Sequence, residues 1–445
     1  MKYIIIGSGP TGLSLAYILA LNNKNVILIE QDDQLGGSWN SQWIDNKYWS
    51  ENSPRVCIFN KNTEKIMKHI GLKKNDFKNI YGNVLETQYK IMLFLFKYFK
   101  FLDYLIFLFA IIKYNLVTEN ITLMTWIKQN KLSKTAINAI TILSITICDK
   151  PENTNINDFF CSFGLNIIKQ MTEPNKWHNI IEEYLKTKKN VTILKNTKVI
   201  KLIDSKKSNI INSVYIQNLL NNSYSEINGD KIFLCTQSNN IYPILKLSSY
   251  NVKNNWMSET KMKIWSENTF YIGFGFQLHF DKKIDFKNEW CWSCKGDWTV
   301  IILPVSNWLK TFSKDSKVKT VWSCCIVDMD TKSKKINKTA NECNLNEVIN
   351  ECIYQINKFY TIPNPYKITT SKGLKKHNNK WMSNNTGYTK NTYDDLSMKG
   401  KIDNLFALGC FTKEIKTYVA YMGGAFDSVV NYIKIYEKNM KIKVF

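Results

Sequence analysis

The sequence predicts an α/β chain in which a parallel sheet is interleaved with a second, sheet-based domain and a helical insertion. Three observations lead there. The chain opens on a strand, a glycine-rich turn, a helix and a second strand. It closes on an apolar strand that ends in glycine and feeds another glycine-rich turn and helix, and the long middle alternates helix-rich with strand-rich stretches. With 445 residues, 44% of them hydrophobic, it can bury large cores and divides into two domains of intertwined sequence.

At the start, Lys2 to Ile6 form an apolar strand ending at Gly7. Gly7-Ser8-Gly9-Pro10-Thr11-Gly12 then opens a helix-compatible run, Leu13 to Leu21, and a second strand, Val26 to Ile29, ends at Glu30. Each glycine answers a steric demand: Gly7 allows the tight turn, Gly9 lets backbone approach a pyrophosphate, and Gly12 lets the helix lie on the strand. This is a Rossmann-type unit, whose exposed amides and positive helix end receive phosphate charge. Pro10 and Thr11 sit in the same turn. Glu30, eighteen residues beyond Gly12, is placed to accept from adenosine ribose hydroxyls, and an acid there disfavours a 2′-phosphate. FAD or NAD therefore fits better than NADP. The second flexible turn, Gly36-Gly37, favours FAD, because it can pass close to an extended cofactor.

Residues 61 to 90 read as polar and helical. Between Ile91 and Tyr114 the chain is very apolar, but Lys97, Lys100 and Asp103 interrupt it, so it fails as a membrane span. Two readings stay open: a buried helical pair, or an apolar surface that touches a membrane or lines a substrate entrance. Residues 121 to 170 continue helix-rich. A helix over Trp177 to Lys186 precedes short strands at Val191 to Leu194, Val199 to Ile203, Ile211 to Ile216 and Lys231 to Cys235. Longer strands follow around Phe270 to Phe280, Trp290 to Pro304 and Val318 to Met329, then a helix near Leu345 to Phe359. The strand Leu405 to Leu408 ends at Gly409 and leads to Gly423-Gly424-Ala425 and a helix toward Tyr436. The expected division is a nucleotide-binding domain from 1–80, 176–245 and 396–445, a helical insertion at 81–175 and a substrate domain at 246–395.

Together, Gly7 to Gly12, Glu30 with Gly36-Gly37, Val191 to Ile203, the strand ending at Cys235-Thr236 and the stretch Asn404 to Val430 resemble the two-dinucleotide-binding-domain flavoproteins. Within them, the chain is similar to the FAD-dependent amine oxidase and phytoene desaturase-like superfamily. The resemblance implies bound FAD, with Gly409 near the pyrophosphate and Gly423, Gly424 and Ala425 near the ribityl and isoalloxazine region. It also implies that Val199 and its neighbours pack near the adenine. The family commonly has arginine after its paired glycines, where this chain has Ser38 and Trp39. Arg55, the single arginine in the sequence, is the candidate for the missing positive group. Trp381 and Tyr388, ahead of the returning flavin segment, are candidates to orient a substrate.

The implied activity is transfer of a hydride equivalent from an amine or apolar organic donor to flavin, with oxygen as the acceptor that regenerates it. Gly37-Ser38-Trp39 also resembles flavin monooxygenases, but no second nucleotide fingerprint follows, since Gly273 and Gly275 lack the third glycine. A flavin-stabilised binding or assembly protein without catalysis is the alternative outside enzymes. No catalytic acid or base is assigned.

The formal charge of +23 comes almost wholly from dispersed lysines, which reads as a solvated surface; no specific nucleic acid is expected, and a weak membrane contact stays open. Eleven cysteines without an apparent secretory leader read as reduced thiols of a cytoplasmic protein, and a virus factory would present the same pattern. Cys291-Trp292-Ser293-Cys294 falls in an expected strand rather than at a helix end, and His69, His178, His279 and His377 show no metal-ligand spacing, so no metal is proposed.

Overall fold

In the computed structural model, the strands β1 (Lys2–Ile6) and β2 (Asn25–Ile29) form the heart of a five-stranded parallel sheet. Its order is Leu405–Ala407, Lys231–Leu234, β1, β2, Val191–Leu194. The structure describes the chain except 52–56, 60, 80–92, 94, 148–149, 162–166, 206–208, 269, 272–273, 286–292, 295, 327, 372–373, 378, 383–387, 390–395, 416–421 and 441–445.

These strands are continuous apolar runs because the sheet is covered on both faces. Side chains alternate along β1. Tyr3 and Ile5 point to a core shared with the helices α1 (Pro10–Leu21), Lys176–Lys186 and Met422–Tyr436. Ile4 and Ile6 point the other way, to Val199, Leu202 and Val214 of an antiparallel sheet formed by Thr197–Asp204, Ile211–Asn218 and Tyr224–Asn228. The same second core takes Ile241, Leu245 and Trp265 from the helices Ser238–Lys246 and Glu259–Asn268, which the sequence reading does not name.

The second domain is built on a five-stranded antiparallel sheet ordered Ser293–Cys294, Val300–Leu303, Thr320–Ile326, Phe274–Phe280, Lys367–Thr370. Period-two alternation sorts its faces. Phe274, Phe276, Leu278 and Phe280 join Trp322 and Cys324 against Val348, Cys352 and Ile356 of the helix Leu345–Asn357. The intervening residues face the hairpin Ser41–Ile44/Tyr48–Glu51: Ser50 donates to Gln277 Oε1 at 2.6 Å, and Gln277 Nε2 donates to the Glu51 carbonyl at 2.9 Å. The chain leaving the parallel-sheet unit is thereby stitched to the antiparallel sheet.

Two element expectations change. The strand expected across Trp290 to Pro304 is described as two, with Trp298 between them turned into the Phe274 core and held by Gln355 Oε1 at 3.1 Å. Of the helix expected across 61 to 90, the described part has Lys61–His69 helical and then Phe77–Asn79 as a strand paired with Ile167–Met171, a partner too distant in sequence for local propensity to reveal, and 80–90 lie outside the described residues.

The insertion has its own core. Phe107, Leu123, Trp126, Ile140, Phe159 and Phe160 join the helices Phe101–Leu116, Leu123–Gln129, Lys134–Ile147 and Ile156–Cys161. The apolar run therefore buries one helical face. Its other face, with Leu102, Leu105, Phe109, Ile112 and Leu116, is exposed. Among the described residues no helix is long and apolar enough to cross a membrane.

Candidate functional site

Three strand ends converge at the carboxyl edge of the parallel sheet, the place where open α/β sheets bind ligands. The Gly7 N–H donates to Ile29 O at 2.8 Å, the Cys235 N–H to Ile6 O at 2.9 Å and the Leu408 N–H to Leu234 O at 3.0 Å. Gly7, Cys235 and Gly409 are so brought to one rim.

Gly7 has φ +97°, and a Cβ there would meet the Cys235 carbonyl oxygen at 2.9 Å. A Cβ on Gly12 would lie 1.9 Å from Gly7 O, so helix and strand lie as close as the spacing predicts. Gly9 differs: a Cβ built on it meets nothing within 4 Å, so open space stands before the helix. Pro10 occupies the first turn of α1, where its missing N–H costs nothing, and Thr11 is buried behind it. No acidic side chain lies in that turn, so none on the helix itself offsets its positive end.

The second glycine turn leans on the first. The Gly36 N–H donates to Ser8 O at 3.0 Å, and a Cβ on Gly37, whose φ is +57°, would reach within 3.0 Å of Gly9 Cα. Gly36 has φ +114° and packs so tightly on His178 that a Cβ would sit 2.7 Å from its Cδ2. Ser38 and Trp39 continue in a short 3₁₀ turn, with Trp39 packed into the core beside Leu35. The chain beyond is fixed by Asn175: its Oδ1 accepts from Ser41 N–H at 2.8 Å and Ser41 Oγ at 3.0 Å, and its Nδ2 donates to Ser41 O at 2.9 Å.

Glu30 is buried at the end of β2. Its Oε2 accepts from the N–H and hydroxyl of Ser8 at 2.8 and 2.5 Å, and its Oε1 from Asp32 N–H at 3.0 Å. Burial raises the carboxyl above its ordinary range, and the bonds from Ser8 and Asp32 offset only part of that rise. Thr197 N–H donates to Glu30 O at 2.9 Å, so the antiparallel sheet begins beside the acid; Val199, two residues on, lies in the core between the two sheets.

On the C-terminal side, Gly409 N–H donates to Ser428 Oγ at 3.0 Å and Gly409 O accepts from Thr412 Oγ1 at 3.0 Å. Gly423, Gly424 and Ala425 lie buried in the first turn of Met422–Tyr436, a helix packed beside α1 on one face of the sheet.

The remaining candidates fall elsewhere. Trp381 packs edge-on to Phe274, ring centroids 5.3 Å apart, in the core between the five-stranded antiparallel sheet and its helix, which is separate from the core beneath the glycine turns. Tyr388 pairs with Tyr271 through the backbone, and its side chain lies outside the described part. Arg55 lies outside the described residues, as do Cys291 and Trp292. Burial pushes the Cys325 and Cys410 thiols up to about 12, which leaves them neutral apolar fillers rather than nucleophiles.

Sequence reading missed three supports of the site: Ser8, which grips Glu30; Asn175; and His178 against Gly36. Ser8 is flanked by the motif glycines, and only the acid's final orientation singles it out.

This layering, helices over a parallel sheet over an antiparallel one, with the second sheet and its helical insertion spliced between the strands, is a fold that the chain shares with solved oxidoreductases, amine oxidases among them. Residues 5–68 match the model of an NAD(P)-binding Rossmann-like domain. Among solved structures the chain resembles an oxidoreductase from Methanosarcina mazei at 12% identity and TM-score 0.63, covering 98% of this chain and 100% of that one. It also resembles a putrescine oxidase solved with putrescine, at 11% identity and TM-score 0.61, with 96% and 97% covered. In sequence it is 31% identical over 78 residues to an L-amino acid oxidase of Cerastes cerastes; the match spans 17% of this chain and 15% of that relative.

Proposed function

We propose that this chain is an FAD-dependent oxidoreductase that takes a hydride equivalent from an amine or apolar organic donor and passes the electrons on to oxygen. The observation that carries the reading is the paired glycine turn: side-chain-free backbone at Gly9 and Gly37, held together at the positive end of α1, before space that a single methyl would enter. These residues fit a dinucleotide pyrophosphate.

In this reading Gly7, Gly9, Pro10, Thr11 and Gly12 present the first-turn amides to the phosphates, and Gly36, Gly37, Ser38 and Trp39 close over them. Glu30 turns its carboxylate from Ser8 to the ribose hydroxyls. Val199 backs the adenine side, while Gly409, Gly423, Gly424 and Ala425 form the opposite wall, with Arg55 supplying the positive charge that Ser38 does not. Bound FAD supplies the acceptor for the hydride equivalent.

The chain's part on the donor side is to exclude water and orient. The sheet face carrying Ile301 and Cys325 meets Ile145 of the insertion, and Glu51 lies close enough to raise the Cys325 thiol electrostatically. An apolar wall beside a buried carboxylate suits a donor with an ammonium group and a hydrocarbon body, which is why the putrescine-bound relative supports the amine reading. The buried thiols suit a cytoplasmic setting.

The test is a visible spectrum of the purified protein, followed by anaerobic addition of NADPH and then of amines and apolar donors. Flavin bands that bleach with a donor and not with NADPH support the proposal. Bleaching by NADPH transfers it to a monooxygenase, and no flavin uptake even after FAD is supplied overturns it.

A further inference from the structure

We propose that the outward face of the helix Phe101–Leu116 docks on an anionic membrane surface, lying in the headgroup plane without crossing it. The helix is apolar on two sides for two reasons. Tyr104, Phe107, Ala110 and Tyr114 are buried in the insertion's core, which accounts for the inner side. The outer side is a single stripe: Leu102, Leu105, Phe109, Ile112 and Leu116 recur at helical spacing and are 68, 45, 67, 61 and 81% exposed. Phe101, 75% exposed, lengthens it at one end and Val117 at the other. Over about 24 Å of helix, so many large apolar side chains exceed what a freely solvated surface carries.

The stripe's setting identifies what covers it. Lys97 and Lys100 are exposed just before the helix. Ser133, whose N–H and Oγ donate to Asp103 at 3.1 and 2.6 Å, brings the exposed Lys131 and Lys134 to the same end. At the far end Lys113 pairs with Glu119 at 2.6 Å, so the basic charge is concentrated at one end of the stripe. The chain as a whole carries +23. A second copy would bring like charge against like, and nucleic acid offers little for the leucines to enter. An anionic bilayer offers acyl chains to the stripe and headgroup charge to lysines whose long stems reach the interface. The proposal does not rest on the flavin reading.

The experiment is co-flotation of the full-length protein with vesicles of phosphatidylcholine alone and of phosphatidylcholine with phosphatidylserine. The protein is expected to float with the mixed vesicles and not with the neutral ones, and to be released as salt rises. Phe109→Ser with Ile112→Ser should weaken binding about a hundredfold, roughly tenfold for each side chain kept from the lipid, without lowering Tm, because both residues are exposed. Lys100→Gln with Lys131→Gln should cut binding to the anionic vesicles by roughly tenfold or more. Failure to float with either vesicle overturns the proposal, as does equal, salt-insensitive flotation with both. A dimer by light scattering that the double serine variant dissolves, in protein that ignores vesicles, overturns it in favour of a second copy.

Discussion

Replacing Gly9 by alanine separates the needs of the cofactor from those of the fold. Gly9 has φ −66° and ψ −175°, extended backbone open to any residue, and its Cβ would meet no atom within 4 Å. The ligand-free protein should hardly notice. Alanine is a poorer residue than glycine just before a helix by up to about 1 kcal/mol, and it recovers roughly 0.4–1 kcal/mol through the unfolded chain, so the two nearly cancel. The methyl projects into the space assigned to the pyrophosphate. If it pushes the phosphates off two backbone amides, two charge-assisted hydrogen bonds of about 1.5–3 kcal/mol each are lost. That is roughly 3–6 kcal/mol, or about a hundred- to ten-thousandfold in Kd. The assay is titration of flavin-free protein with FAD by calorimetry, beside thermal unfolding of the same preparation. A Tm shift within about 2 °C together with the affinity loss is expected. FAD affinity within threefold of wild type would refute the placement of the pyrophosphate.

Gly12→Ala should behave in the opposite way: its Cβ lands 1.9 Å from Gly7 O, backbone against backbone, so chemical denaturation without ligand should show a loss of about 1–3 kcal/mol or more, and wild-type stability would mean α1 lies farther from β1 than described. Glu30→Gln removes an acid whose burial raises its carboxyl, a cost absent at low pH that grows as pH climbs from the ordinary carboxylate range through the raised value; the variant's Tm gain in flavin-free protein should rise with pH while FAD binding weakens about tenfold to a hundredfold. A Tm difference that stays flat from acid to neutral pH would count against a buried, ionised Glu30. His279, hydrogen-bonded to Thr369 Oγ1 at 3.0 Å, is lowered from 6.5 to about 4 by burial and then by Lys367. Between those values the unfolded chain binds the proton and the folded one does not, so stability falls as pH drops through that window, by roughly 3 kcal/mol at its acid end. His279→Gln should flatten that part of the pH profile of denaturant midpoints, and an unchanged slope would show that carboxylates elsewhere account for it.

The N-terminal unit was legible because its constraints are local. Gly12 answers a contact with Gly7 five residues before it, Gly7 itself holds a positive φ, the glycine spacing is compact, and Glu30 ends a strand whose apolar run is itself a signal. The support from Asn175 and His178 was not legible, because nothing near either residue records that the helix Lys176–Lys186 passes behind Gly36 and Ser41. The strand Phe77–Asn79 is hidden for the same reason: it exists through its pairing with Ile167–Met171. In the domain built on the five-stranded antiparallel sheet, alternation identified strands but not faces. Trp381 was attractive for its aromatic ring and position in the chain, yet its backbone hairpin directs it toward Phe274 and the helix-side core. Val199 is core as well, because alternate residues of Thr197–Asp204 face the parallel sheet.

The strand order of the parallel sheet also sets a timetable for synthesis. β1 and β2 leave the ribosome close together, but β1's other neighbour is Lys231–Leu234 and that strand's outer partner is Leu405–Ala407. At roughly 5–20 residues per second, the apolar edge of β1 waits tens of seconds before its second ladder can form. Until then Ile4, Ile5 and Ile6 present an unpaired strand edge of the kind that recruits other chains. Production of this protein should therefore depend on holding chaperones and brisk translation more than its finished stability would suggest, and a chain ended before residue 405 would leave the outer side of Lys231–Leu234 as a permanent adhesive border.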